Sequence, residues 1–286
     1  MTVSQALNVA DRSISFREAE IFLQHILGAS RAWLHGHGDQ KLTPEQSSRF
    51  EEFCRRREQN EPVAYIIGEK EFYGRRFYCD RRALIPRPET EGLIDIAMQW
   101  SRNRGRPIKI LELGTGSGNI AITLSLELSV PAKIVATDIS PAALELARKN
   151  YQELGHRQPI RFICADLFHH SEIKKAAPFD LIIANLPYVP TAWQSDPEAQ
   201  PEVVFQEPDI ALFGGEDGLE LYRRFFADAP QYLGANGKII IEFGEEETQK
   251  ITAIAQKAFS NAQLTIQPDY AGLDRILQVA NPGFAP

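Results

Sequence analysis

Apolar positions change period along this chain. Ser15-Phe16-Arg17-Glu18 reads as a capping box, and Ile21, Phe22, His25 and Ile26 follow at helical spacing. Thr43-Pro44-Glu45-Gln46 is a second box with proline at the first helical position, followed by Phe50 and Phe53. Gly28 and Gly36-His37-Gly38 punctuate these segments. The pattern predicts a small helical domain over residues 1–68. Around Phe72-Tyr73-Gly74-Arg75-Arg76-Phe77-Tyr78 the period shifts toward two about a glycine, which predicts a hairpin. With Ile85-Pro86-Arg87-Pro88-Glu89-Thr90 it reads as a linker over 69–90. From residue 108 strands and helices alternate. Strands are expected at 108–113, 134–137, 160–164, 181–184, 238–243, 264–267 and 275–279. Helices are expected at 118–128, from Ser140-Pro141 to about Leu154, and near 219–233 and 248–259. Such alternation implies an α/β domain over 91–286 with a doubly wound, mostly parallel sheet. A proline-rich stretch leading to Gly214-Gly215 is long for a compact domain, and such loops are usually functional.

Composition narrows the setting. With 286 residues, 43% hydrophobic and 24% charged, the chain can build two domains without covalent staples. Cys54, Cys79 and Cys164 form no CxxC pair, which argues against a disulfide framework or zinc site and for a reducing compartment. The six histidines show no ligand spacing, so no metal is expected. No signal-peptide pattern opens the chain, and no apolar run reaches the ~20 residues of a membrane span. A cytoplasmic monomer is expected. Residues 1–90 carry +1 and residues 91–286 carry −8 of the total −7. An acidic main domain is a poor platform for a phosphate backbone, so no direct nucleic-acid binding is expected. Arg55-Arg56-Arg57 reads as a solvated helix end or as a modest docking patch.

The chemistry-bearing residues fall at successive strand ends. Leu113-Gly114-Thr115-Gly116-Ser117-Gly118 ends the first strand and opens a helix, where glycines let the backbone turn and approach a ligand. The run also fits a dinucleotide fingerprint. However, Glu112 places a carboxylate just ahead of the turn, which would repel a pyrophosphate but suits the amino group of S-adenosylmethionine. Asp138 ends the second strand and can accept both ribose hydroxyls. Asp166 follows the third strand and could accept from the adenine amine, or serve as a turn residue.

Asn185-Leu186-Pro187-Tyr188 directly follows an apolar run and falls at a strand's carboxyl end. An Asn amide, a carbonyl held ahead of a proline and an aromatic face can grip a planar group bearing an NH2. Either a glutamine carboxamide or an adenine amine satisfies that description. In methyl transfer, the Asn185 side-chain oxygen and the Leu186 carbonyl would accept the two N–H bonds and strengthen as the nitrogen becomes cationic. Pro187 confines Leu186 to extended conformations, and Tyr188 offers a flat face with cation–π help for the sulfonium.

Together these motifs resemble the peptide chain release factor glutamine methyltransferases. The resemblance includes Pro62-Val63-Ala64-Tyr65-Ile66-Ile67-Gly68, Glu71-Phe72-Tyr73-Gly74 and Leu84-Ile85-Pro86-Arg87-Pro88-Glu89-Thr90-Glu91. It continues through the glycine turn, Asp138-Ile139-Ser140-Pro141, Asn185–Tyr188 and Glu207-Pro208. Ala211-Leu212-Phe213-Gly214-Gly215-Glu216-Asp217-Gly218 and Ala271-Gly272-Leu273-Asp274-Arg275 complete it. It implies a seven-stranded, Rossmann-like class I methyltransferase fold behind a small helical domain that docks the protein substrate. It also implies S-adenosylmethionine as cofactor, with S-adenosylhomocysteine as product. The implied acceptor is the glutamine of the Gly-Gly-Gln loop of release factors, held by Asn185, Pro187, Tyr188 and the Leu186 carbonyl. Glu112, Gly114, Thr115, Gly116, Ser117, Gly118, Asp138, Asp166 and Asn185 would form the cofactor site. The family usually has Pro where this chain has Leu186, and Asn-Leu-Pro-Tyr is better known from ribosomal RNA adenine dimethylases. The alternative is a nucleic-acid adenine N6-methyltransferase, which predicts a basic face and base-stacking aromatics. A cofactor-binding module without chemistry is a third reading, and no sequence feature favours it.

Overall fold

The computed structural model describes residues 1–10, 13–102, 104–195 and 206–281. Residues 196–205, part of the long loop expected to be functional, lie outside them, as do 282–286. The described residues separate into two units. One is Met1–Glu69 with Gln206, and the other comprises the rest from Lys70.

Among the described residues, the first unit holds five helices: α1 (Val3–Ala10), α2 (Phe16–Leu27), α3 (Arg31–Gly36), α4 (Pro44–Glu58) and α5 (Val63–Ile67). Both capping boxes form. Ser15 Oγ accepts from Glu18 N while Ser15 N donates to the Glu18 carboxylate, and Thr43 and Gln46 repeat the exchange. Apolar faces meet in a core that includes Phe22, Leu23, Leu34, Phe50, Phe53 and Ile66. Two of the three arginines at 55–57 are spent inside this unit. Arg56 donates to Glu61 and to the Tyr65 and Ile66 carbonyls, and Arg57 donates to Glu18. Neither sequence reading of the run as a whole therefore holds, because a side chain engaged in a fixed pair is not available as one member of a free basic patch.

The expected hairpin forms from β1 (Glu69–Phe72) and β2 (Arg75–Tyr78), with Tyr73 and Gly74 both at positive φ. Two positive φ values match the right-handed twist of paired strands. The hairpin is more than a linker. Phe72 and Phe77 are fully buried in one of the second unit's two cores, beside Leu93 and Ile94 of α6 (Glu91–Ser101).

Seven strands make one sheet in the order β5-β4-β3-β6-β7-β9-β8. They are β3 (Ile108–Leu113), β4 (Ala132–Asp138), β5 (Ile160–Cys164), β6 (Phe179–Ala184), β7 (Leu233–Glu242), β8 (Gln263–Pro268) and β9 (Asp274–Ala280). Strands β3 to β7 pair in parallel, and β9 runs antiparallel to both β7 and β8. Alternating side chains feed two cores. Ile110, Ile183 and Ile240 pack with α6 and α7 (Asn119–Glu127). Leu111, Ile182 and Ile241 pack on the other face with Phe225 and Phe226 of α11 (Glu220–Tyr232) and Ile251 of α12 (Thr248–Ala258). Cover on both faces explains why the central strands β3, β4, β6 and the end of β7 read as near-continuous apolar runs. The connections carry α8 (Pro141–Leu154), α9 (Ser171–Ala176) and the short α10 (Asp209–Leu212). The chain moves outward from β3 to β5 and then crosses back to β6. The carboxyl ends of β3 and β6 thus flank the point where the winding reverses, where open α/β sheets form their ligand crevice.

Candidate active site

A cleft opens at that point. Gly114 to Ser117 after β3, Asp138 and Ile139 at the end of β4, Asp166 after β5 and Asn185-Leu186-Pro187 after β6 all line it, whereas Gly118 faces Ile122 and Ala147 instead. The segment from Arg82 to Arg87 forms another wall. Leu113 pairs with Ala184 across β3 and β6, which sets Gly114 beside Asn185. Gly114 has φ +72°, and an added Cβ would stand 3.1 Å from Leu186 Cδ2 and 3.6 Å from the Asn185 carbonyl. Glycine here therefore serves both the turn and the close approach of the two strand ends. Leu186, 4% exposed, fills the space beside it.

Asp138 holds the turn in shape. Its Oδ2 accepts from Gly116 N (2.8 Å) and its Oδ1 from Ser140 N (2.9 Å). Each oxygen keeps a lone pair for a diol. Burial pushes its pKa up, and those N–H bonds counter the shift. Asp166 Oδ2 accepts from Arg224 (2.6 Å), and both residues line the cleft. Ile139 is half exposed and presents an apolar surface there. A diol acceptor, a second carboxylate and an apolar surface beside a glycine turn fit the ribose and base of S-adenosylmethionine.

Glu112, expected to face the cofactor's amino group, lies inside the turn. It is 1% exposed and does not line the cleft. Its Oε2 accepts from Thr115 Oγ1 (2.7 Å) and Ala121 N (3.1 Å), bracing the loop against α7, and its Oε1 is buried without a partner. Burial pushes its pKa up to about 8. Ser117 is also buried, but its carbonyl accepts from Asn150 Nδ2, which bonds Tyr78 O as well. Asn150 thereby ties the end of β2 to the glycine turn.

The tetrapeptide is fixed from three sides. Asn185 Nδ2 donates to Thr90 Oγ1 (3.0 Å), and Thr90 Oγ1 donates to Glu242 Oε2 (2.6 Å). Tyr188 donates to Glu242 Oε1 (3.2 Å). Its ring packs near Gly244 and does not line the cofactor cleft. Tyr222, fully buried on α11, sets its hydroxyl against the Leu186 peptide at N (3.3 Å) and O (3.2 Å) and against the Glu242 carbonyl. Tyr222 has one hydroxyl proton, which lies closer to the Glu242 carbonyl, so Leu186 O keeps lone pairs for another donor. Behind the tetrapeptide, Val189 N donates to Leu212 O and Gly214 N to Val189 O. Added Cβ atoms would stand 2.3 Å from Pro187 O at Gly214 and 2.2 Å from Tyr188 O at Gly218. The Ala211–Gly218 run is therefore a backbone support for the reacting loop.

Thr90, Glu242, Tyr222 and Arg224 carry no role in the sequence reading. Thr90 belongs to the Leu84–Glu91 motif and Glu207 to Glu207-Pro208; Glu207 is a buried carboxylate that accepts from Ile85 N and pairs with Arg87 on the cleft wall. Glu242 had one available signal, as the lone acid ending the apolar run of β7.

Two family models match the chain: the PrmC N-terminal domain over residues 2–68 and a methyltransferase domain over residues 106–271. A release factor glutamine methyltransferase from Chlorobaculum tepidum is 38% identical over 263 residues, covering 90% of this chain and 87% of that protein. A bifunctional methyltransferase from Rickettsia felis is 36% identical, covering 96% of this chain, which spans about half of that relative's length (56%). Among solved structures, a methyltransferase from Pyrococcus furiosus superposes with a TM-score of 0.52 at 15% identity, covering 84% of this chain and all of that one, a likeness of fold. By its helical N-terminal domain, its seven-stranded sheet and its similarity along nearly the whole chain to such relatives, this chain belongs to the release factor glutamine methyltransferase family.

Proposed function

We propose that this chain transfers a methyl group from S-adenosylmethionine to the side-chain nitrogen of the glutamine in the Gly-Gly-Gln loop of peptide chain release factors. The observation that carries the proposal is Asn185 at the carboxyl end of β6, with its NH2 engaged by Thr90 and its oxygen left to accept. Gly114 to Ser117, Asp138 and Asp166 would hold the cofactor, which supplies an electrophilic methyl group on a sulfonium when bound. A carboxamide nitrogen is a weak nucleophile because its lone pair is delocalised. Asn185 Oδ1 and Leu186 O would accept its two N–H bonds and orient the lone pair for in-line attack. Both acceptors strengthen as positive charge develops on the nitrogen, so they stabilise the transition state more than the ground state. No general base is needed, because the methylated nitrogen is strongly acidic and loses its proton to water. The Leu186 carbonyl keeps its direction without the family's usual proline, since Pro187 restricts the residue before it and Tyr222 holds that peptide.

The test is incubation with labelled S-adenosylmethionine and either a bacterial-type release factor or ribosomal RNA. Label on the release-factor glutamine supports the proposal. Label on RNA adenine would replace it with the nucleic-acid reading.

A further inference from the structure

We propose that Glu242, acting through Thr90, is a positioning device that decides which end of the Asn185 carboxamide meets the acceptor. This rests on the reading of Asn185 Oδ1 as the acceptor of a glutamine N–H. Glu242 is 1% exposed at the end of β7. An ionised carboxylate offers acceptors only. Thr90 therefore points its one hydroxyl proton at Glu242 Oε2 (2.6 Å), and Tyr188 points its proton at Oε1 (3.2 Å). Thr90 Oγ1 then has only lone pairs for Asn185, 3.0 Å away. Just one end of the amide can face lone pairs, and that is the NH2. The relay of protons thus runs in a single direction from Asn185 to Thr90 to Glu242. Asn185 Oδ1 is turned away from Thr90 and left to accept. Without this relay the amide could turn over, and its NH2 would then confront the substrate's NH2, donor against donor.

The groups around Glu242 keep the relay in that sense. Thr90 comes from the turn before α6, and Tyr188 from the loop after β6. Arg275 on β9 contributes a positive charge that favours the ionised form, and Glu89 a negative charge that opposes it. Tyr222 donates to the Glu242 backbone carbonyl and holds the strand end. Burial raises the Glu242 pKa, so the relay fails on acidification earlier than an exposed Glu would allow.

The test compares single-turnover transfer to a release factor in the native chain, Thr90→Val, Thr90→Ser and Glu242→Gln, with S-adenosylmethionine affinity followed by calorimetry. Thr90→Val keeps the shape and removes the hydroxyl. Its rate constant should fall on the order of 10- to 10²-fold, as for a mispositioned catalytic group, with a much smaller change in cofactor affinity. Thr90→Ser should recover most of the lost rate. The native rate should decline on acidification through the Glu242 pKa, and Glu242→Gln should be slow throughout and lack that limb. Native rate in Thr90→Val, no recovery in Thr90→Ser, or an unchanged acid limb in Glu242→Gln would each overturn the proposal. Should Thr90→Val fail to fold, Thr90→Ser and the two pH profiles still decide. A native chain that leaves the release factor unmethylated would instead sink the functional reading beneath it.

Discussion

A carboxamide can present its oxygen or its NH2 to a ligand, and nothing within the Asn185 side chain chooses between them. The choice is made by Thr90 and Glu242, which lie 95 residues before and 57 residues after Asn185 in the chain. Asn185, Asp138 and the glycine turn were legible because each stands at a strand end in a recognisable local pattern. Thr90 and Tyr222 were not, since one reads as a loop residue and the other as a core position on an amphipathic helix. Glu112 was legible as an acid but not as a brace, because its burial depends on α7 folding over it. Burial raises its pKa from 4.5 to about 8. Between those values the folded chain holds a proton that the unfolded chain releases, so this group's contribution to stability falls as pH rises through that window. Glu112→Gln removes the titration. Its stability relative to the native chain should therefore be higher at pH 8 than at pH 5, read from urea denaturation midpoints. Equal differences at both pH values would show that Glu112 is not a buried, proton-binding brace.

At the scale of elements, the strand and helix order was legible because β3, β4, β6 and the end of β7 are buried on both faces and α8, α11 and α12 each carry an apolar stripe. The hairpin was legible too, but not its fate, since only tertiary packing puts Phe72 and Phe77 into a core of the second unit. The Ala211–Gly218 run reads from sequence as a motif without a mechanism. Its mechanism is close backbone approach, which depends on chain segments some thirty residues apart. Gly214→Ala would force a Cβ to within 2.3 Å of Pro187 O and 2.4 Å of Gly218 O. Neither atom is the end of a flexible side chain, so the backbone must move. Chemical denaturation should show a loss of about 1–3 kcal/mol, the usual range for overpacking. Methyl transfer should fall further than that loss explains, because the atoms displaced belong to the reacting loop. Native activity would mean that this support does not set the loop's position.

For the molecule as a whole, the helical unit and the cofactor cleft belong to different parts of the chain. The first unit has its own core, and among the described residues no position before Phe72 belongs to either core of the second. Every residue lining the cofactor cleft belongs to the second unit. Removing residues 1–68 should therefore leave a folded protein that binds S-adenosylmethionine, checked by calorimetry, while methylation of an intact release factor is lost. Full activity of the truncated chain would show that the helical domain plays no part in recognising the substrate. The most direct test of the account is Asn185→Ala in single-turnover methyl transfer to a release factor, with the modified residue located by mass spectrometry. The account predicts glutamine as the site in the native chain, a rate constant lower by about 10²–10³-fold in the variant, as for loss of one oxyanion-hole contact, and little change in cofactor affinity. A variant that keeps most of its rate, or a native chain that places the methyl group on another residue, would contradict it.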